Sequence, residues 1–279
     1  MQAALLNDRS VIALSGVEAR GFLQGLITND MERLAPGQAV YAALLTPQGK
    51  ILFDFFVIEE VADRFLIDCA QARAADLVKR LTLYRLRAKL DIAFRPDLAV
   101  AALWNGAAVA PTLPPNGMAF ADPRLPSLGA RVVAPRPFLE THYPEGGDAY
   151  RVHCLTLGVP DSVDLPPDTV FPLDAGFEEL NGVSFRKGCY VGQEVTARMK
   201  HRSSARRRFL IAETAAPVPP AGTPITAEGR ELGMIASGLG GTALALTRLD
   251  RLAEAVKSHV PAMAAEKIVT LRKPDWLRV

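Results

Sequence analysis

The sequence predicts an α+β fold in two parts, and three observations carry that reading. Apolar residues at helical spacing alternate with β-type runs through residues 1–204. From Phe209 onward the composition changes to short apolar runs broken by Pro219-Pro220, Gly222, Glu228-Gly229 and Gly238-Leu239-Gly240-Gly241. That punctuation belongs to a small β-barrel or sandwich, here placed over 205–279. A length of 279 residues supplies two domains with packed cores.

The elements follow in order. Ser15-Gly16-Val17-Glu18 fits a capping box, with Phe22, Leu23, Leu26 and Ile27 at helical spacing behind it, so a helix is expected from Gly16 to Ile27. The polar trio Thr28-Asn29-Asp30 stops it. Val40–Leu45 and Ile51–Ile58 read as a hairpin around Thr46-Pro47-Gln48-Gly49-Lys50, and Arg64–Cys69 as a further strand. Gln71–Tyr84 is a helix burying Leu77, Val78, Leu81 and Tyr84. Leu86, Ala88, Leu90, Ile92 and Phe94 then alternate with Arg85, Arg87, Lys89 and Asp91. Period-two alternation predicts a strand whose charged face is either solvated or an anion-binding wall. Proline and glycine over Asn105–Asn116 mark a surface linker, and a subdomain break is expected within 95–120. A strand runs through Ala134; Asp148 caps a helix that Gly158 and Pro160 close. Asp250–Ser258 is a short helix, and the Gly238–Gly241 loop, with no lysine after it, is a turn rather than a phosphate cradle.

Composition sets outer bounds on function. A net charge of +2 implies no obligatory polyanion partner, and 22% charged residues is ordinary for a globular chain. Cys69, Cys154 and Cys189 are too widely spaced for a disulfide framework or a zinc site, so reduced thiols and a cytoplasmic location are expected. The N-terminus lacks a signal-peptide layout and no apolar run reaches membrane-spanning length, so no membrane partner is expected. Arg198–Arg208 carries six cations and no acid. Without an RNA-binding aromatic motif it reads as a solvated face, and no nucleic-acid partner is expected.

The densest reactive segment is Lys187-Gly188-Cys189-Tyr190-Val191-Gly192-Gln193-Glu194. A thiol stands between glycines, after Arg186 and Lys187, beside a helix expected to start near Gln193. Cations and a helix N-terminus both favour thiolate, and the glycines permit close approach of backbone or ligand. The plain alternative is a turn before a helix with Cys189 as a small hydrophobe.

This octet resembles the K-G-C-Y-x-G-Q-E signature of YgfZ/Iba57-type proteins, relatives of the aminomethyltransferase (T-protein) of the glycine cleavage system. The segments Phe171-Pro172-Leu173-Asp174-Ala175-Gly176-Phe177, Gly21–Asp30, Tyr84–Lys89, Ala121-Asp122-Pro123-Arg124 and Leu128-Gly129-Ala130-Arg131 are similar to the same family, as are segments of the C-terminal part. The resemblance implies a folate-binding-like body of two α/β subdomains followed by a β-barrel. It makes Cys189, Lys187, Gln193 and Glu194 the reactive set. It puts Thr28, Asn29 and Asp30 beside a tetrahydrofolate-type ligand, and shifts Arg85, Arg87 and Lys89 toward the anion-binding wall. Where family members commonly carry an arginine four residues before G-x-P, this chain has Cys154; Arg151, one turn earlier, is the candidate substitute.

Two functions compete. The resemblance implies an accessory factor in iron–sulfur cluster assembly or repair, a role that would also support tRNA modification. The alternative is a folate-dependent one-carbon transferase. The T-protein resemblance implies a catalytic carboxylate in I-L-D-D; here the segment reads Ile51-Leu52-Phe53-Asp54, with one acid replaced. The T-protein also lacks the cysteine octet, so the assembly role is preferred. A single cysteine cannot hold a cluster. Cys189 is therefore expected to share one transiently with an iron–sulfur carrier protein or small thiol, the chain itself being a monomer.

Overall fold

The computed structural model describes residues 1–106, 112–202, 206–215 and 217–278. The expected linker over Asn105–Asn116, the basic run Arg198–Arg208 and the boundary at 204/205 fall partly on 107–111 and 203–205, outside those residues.

Three sheets organise the chain. Their strands are β1 (Gln2–Leu5), β2 (Arg9–Ser15), β3 (Ala39–Leu45), β4 (Ile51–Val61), β5 (Arg64–Ala70), β6 (Asp91–Phe94), β7 (Leu98–Trp104), β8 (Met118–Ala121), β9 (Ala130–Pro135), β10 (Arg207–Glu213), β11 (Pro224–Ala227), β12 (Arg230–Leu239), β13 (Thr242–Arg248), β14 (Met263–Ala264), β15 (Lys267–Ile268) and β16 (Thr270–Arg272). The helices are α1 (Ala19–Leu26), α2 (Gln71–Arg85), α3 (Arg136–His142), α4 (Gly147–Leu157), α5 (Gln193–His201) and α6 (Leu249–Lys257). The fold is α+β, as expected, but β1 leaves its sequence neighbours and joins the second sheet.

The first sheet runs β3-β4-β5-β2-β6 and the second β1-β7-β9-β8. Strand β4 explains their stacking. Phe53, Phe55 and Val57 face a core shared with Leu23 of α1 and Leu77 and Leu81 of α2, while Phe56 and Ile58 face the opposite way. Successive side chains point to opposite faces, so an unbroken apolar run means that both faces are covered. In the second sheet, Val100, Ala102 and Trp104 of β7 meet Phe56 and Ile58 in one core, and Ala99, Ala101 and Leu103 turn toward Leu139 of α3. The body is thus four layers: helices, sheet, sheet, helix.

The third sheet, β15-β14-β11-β12-β13-β10-β16, is a nearly closed seven-strand barrel. Phe209 and Leu244 extend the body core into it. The chain's last segment then returns to the body. Trp276 donates its indole N–H to Leu157 O at 2.9 Å, and Pro274 packs on Gly158, the left-handed C-cap of α4 (φ 72°).

Three local expectations fail, the first being that Asp148 caps α4: Gly146 stands at that cap and Asp148 lies in the first turn. Helix α2 runs to Arg85, Leu86 turns the chain at φ 48°, and only Asp91–Phe94 is strand. The partner edge sets this limit: β2 offers Ile12–Ser15 to β6, and Gly16 at φ 137° ends it, with Lys89 O lying 2.4 Å from where a Cβ would stand. Arg85 therefore ends α2, and Arg87 and Lys89 stand in the connection after it, not on a sheet face. The capping box also fails: Glu18 does not cap α1 by its side chain but accepts the Lys89 N–H.

Candidate functional site

The Cys189 loop is braced from both sides. Upstream, Thr28 is fully buried; its hydroxyl donates to Gly182 O at 2.6 Å and accepts from Ala43 N at 2.8 Å, while Ser184 N donates to Thr28 O. Asn29 Nδ2 donates to Tyr41 O and Asn181 O, and Asp30 accepts from Gln24 Nε2 and Glu32 N. The trio predicted to border a ligand is thus engaged largely in holding the loop; of the three, Asn29 lines a cavity.

Lys187 is the central brace. It is 7% exposed, and its ammonium donates to Gln24 O, Ile27 O and Asn29 O at 2.7, 2.6 and 2.8 Å. The last carbonyls of a helix have no intrahelical donors, and Lys187 supplies them for α1. Burial pushes its pKa down to about 8, with Asp30 opposing the shift. The ammonium that the sequence sets beside the thiol is thus spent on backbone, and the Tyr190 ring lies 5.0 Å from it. Downstream, Gly192 caps α5 at φ 79°, with Thr46 O at 2.6 Å from a Cβ built there, so only glycine fits. Gly188 differs: a Cβ there would meet nothing within 4 Å, and no left-handed φ requires glycine.

Cys189 is exposed, whereas Cys69 and Cys154 are buried and burial pushes each thiol up to about 12. Only Cys189 can meet a partner. Gln193 is half-buried at the start of α5, and exposed Glu194 accepts from Arg198 one turn on. No cluster of three or more His, Cys, Asp or Glu side chains suited to a metal exists among the described residues.

The predicted ligand residues do not converge. Asn29 lines a groove of about 480 Å³ with Arg33, Asn181, Phe185, Arg186 and Lys200. Arg85, Arg87 and Lys89 line a separate hollow of about 530 Å³ with Ser15 and Val17. Arg151 ion-pairs with Asp164 at 2.8 Å and donates to Ser237 of β12, joining α4 to the barrel. Cys154 is 1% exposed in the central core, so an arginine there would have to bury its guanidinium.

Sequence reasoning missed a buried ionic layer between the two sheets of the body. Arg9 and Arg131 both pair with Asp68, at 2.6 and 2.8 Å, and Asp122 pairs with Arg124 and Arg131. Phe56 lies beneath Arg131 and Arg124, 4.1 and 4.9 Å from ring centroid to guanidinium carbon. Burial pushes Asp161 up, but Arg9, Arg124 and Arg131 outweigh it and hold the carboxyl well below its usual range. Asp54 borders this layer. It is 6% exposed, accepts from Tyr41 Oη at 3.0 Å, and burial together with Asp161 raises its pKa. The space beside it, lined also by Phe53, Cys69, Arg73 and Ser162, measures about 10 Å³. The signals available in sequence were charged residues inside apolar strands (Arg9, Asp68 and Arg131) and the family-like segments that hold Asp122, Arg124 and Arg131.

Comparison with known proteins places this geometry. Residues 6–98 match the GCVT N-terminal domain, and residues 206–279 match the CAF17 C-terminal beta-barrel domain. The chain is 33% identical to the iron-sulfur cluster assembly factor IBA57, mitochondrial, of Homo sapiens, over 97% of this chain and 84% of that protein. The chain belongs to the IBA57 family. The mouse protein is 32% identical with the same coverage, and the Neurospora crassa homolog is 32% identical over 81% of this chain and 57% of its own length. The glycine cleavage system aminomethyltransferase T of Bartonella henselae shares the fold at a TM-score of 0.75, covering 99% of this chain and 86% of that one, at 17% identity. These relatives confirm the family read from the octet. No helix among the described residues is long and apolar enough to cross a membrane.

Proposed function

We propose that this IBA57-family chain acts in iron–sulfur cluster assembly, with Cys189 giving one thiolate to a cluster whose other ligands come from a carrier protein or small thiol. The observation that carries this reading is the single exposed thiol, held on a braced loop, while the other two are buried. Iron–sulfur clusters take several thiolates, so one accessible cysteine fits a shared cluster and not a resident one. Arg186, Arg202 and Arg206 stand exposed near the loop or beyond α5, outside any ion pair among the described residues. Their charge favours an acidic carrier and offsets the anionic charge of a thiolate-bound cluster. The open space at Gly188 leaves room beside the thiol for a partner's backbone.

A folate-type ligand, on this reading, occupies the groove of Asn29, Phe185, Arg186 and Lys200. Its volume of about 480 Å³ suits a small molecule, Phe185 offers a half-exposed ring for a planar heterocycle, and the cations suit carboxylates. Calorimetry with tetrahydrofolate should give binding that Phe185→Ala and Arg186→Glu weaken; unchanged affinity would remove the ligand from this groove. The transferase alternative needs a carboxylate open to folate, and Asp54 is shut in.

Mixed with a loaded carrier protein, the chain should form a complex whose visible absorption is lost in Cys189→Ser and kept in Cys69→Ser. Stable stoichiometric cluster on the isolated chain, surviving Cys189→Ser, would overturn the proposal.

A further inference from the structure

We propose that the end of α2 and the turn after it dock this protein on anionic lipid bilayers. Between Lys79 and Leu90 the chain carries five cations, Lys79, Arg80, Arg85, Arg87 and Lys89, and no acid. Among the described residues none of the five is in an ion pair. Four are exposed, and Arg85, half-buried, donates to Leu90 O.

Exposed apolar side chains stand among these cations. Leu83 is 62% exposed, Leu86 87% and Val17, across the hollow from Leu86, 76%. Leu86 gains no burial from its position, yet its backbone is held at φ 48°, a region that branched residues rarely adopt. The packing of α2 is already met on its other side, by Ala74, Leu77 and Leu81. The fold therefore assigns no task to the outward leucines.

Protruding leucines between unpaired cations match the bilayer interface, where apolar tips enter the acyl boundary and Lys and Arg stay at the phosphates. The hollow of about 530 Å³ between Val17 and Arg85–Asp91 has room for a headgroup. Three acids lie close: Glu18, whose carboxylate accepts the Lys89 N–H and keeps its charge, Asp91, which lines the hollow, and Asp76, one turn before Lys79 and Arg80 and paired with Arg73. Tyr84, the one aromatic residue between Lys79 and Leu90, is half-buried, so this stretch offers bases no stacking platform, and an acidic protein would need recesses to receive three projecting side chains. Lipid needs none. This is contact with a surface, distinct from spanning it, and differs from the sequence-based expectation of no membrane partner.

The test is co-sedimentation of the full chain with vesicles of phosphatidylcholine alone or with about 30% phosphatidylglycerol, at low and physiological salt. Each cation near such a surface is worth about a fivefold change in partitioning. The chain should bind the anionic vesicles only. Arg87→Glu/Lys89→Glu should lower partitioning at least about 25-fold on that scale. Leu83→Ser/Leu86→Ser should lower it about tenfold or more at unchanged charge. Both variants alter exposed side chains, and circular dichroism checks that they fold. Failure to bind anionic vesicles at low salt would overturn the proposal. So would binding that survives loss of both leucines, which would be charge attraction alone. Binding of polyglutamate lost in the same variants, with vesicles left unbound, would reassign the face to an acidic protein.

Discussion

Replacing Lys187 by methionine tests whether the loop bearing Cys189 is positioned from within. The substitution keeps the length of the side chain and removes its three hydrogen bonds to Gln24 O, Ile27 O and Asn29 O. At a net value of about 1 kcal/mol per bond, the loss should be about 3 kcal/mol of stability at about pH 10, where the cost of burying the charge no longer offsets the bonds, and smaller at neutral pH, read from urea unfolding midpoints at constant slope. The charge also leaves a signature in pH. Burial lowers the Lys187 pKa to about 8, below the ordinary lysine value of about 10.4. Between those values the unfolded chain holds more protons than the folded one, so this group makes stability rise with pH. The full rise is about 3 kcal/mol, and Lys187→Met should flatten it. Alkylation of Cys189 should also change in rate as the loop loosens. A stability loss under about 1 kcal/mol, with the pH slope and alkylation rate unchanged, would refute the brace.

Other outcomes follow from the same structure. Gly188→Ala should leave stability within about 0.5 kcal/mol of wild type yet weaken cluster-dependent complex formation, because its Cβ meets only outside space. Gly192→Ala, with φ 79° and Thr46 O at 2.6 Å, should cost about 1–3 kcal/mol in thermal unfolding. Trp276→Ala removes the indole bond to Leu157 O and the ring packed on Gly176; about 2–4 kcal/mol should be lost, with limited proteolysis showing the last segment released first.

Local patterns were legible where one residue's neighbours decide its conformation. The apolar run of Ile51–Ile58, interrupted by Asp54, announced a strand, and Gly158 announced the end of α4. Leu86–Phe94 misled because alternation is only a local signal. Whether it pairs depends on β2, eighty residues away in sequence, and β2 had four positions to give. The octet pointed to Cys189, but not to the partner of Lys187: its carbonyls lie 158 to 163 residues earlier. The ionic layer was illegible for the same reason, since Asp68 meets Arg9 and Arg131 only once the two sheets stack. A buried arginine in isolation would be an error in an apolar strand; two around one carboxylate are charge-paired, with Arg131 Nη2 alone of that guanidinium left without a hydrogen-bond partner among the described residues.

Asp54 shows how the shared fold and the chemistry separate. The likeness to the aminomethyltransferase at a TM-score of 0.75 fixes architecture, while function rests on what each site exposes. If this chain were a transferase working through Asp54, Asp54→Asn would abolish its biological activity, since an amide cannot accept the proton. The geometry predicts otherwise. Asp54 faces a space of about 10 Å³, with room for about one water, and its oxygen receives the Tyr41 hydroxyl. An amide oxygen can receive the same bond. Burial and the neighbouring Asp161 raise the Asp54 pKa, so the folded chain holds this proton to higher pH than the unfolded chain does. Its contribution to stability therefore falls as pH rises from the ordinary carboxyl value through the folded one. At neutral pH the asparagine escapes that cost, and Asp54→Asn should be as stable as wild type or more so. In a deletion strain assayed for iron–sulfur enzyme activities, Asp54→Asn should complement and Cys189→Ser should not. A folded Asp54→Asn protein that fails to complement would return the chemistry to the carboxylate and away from the thiol.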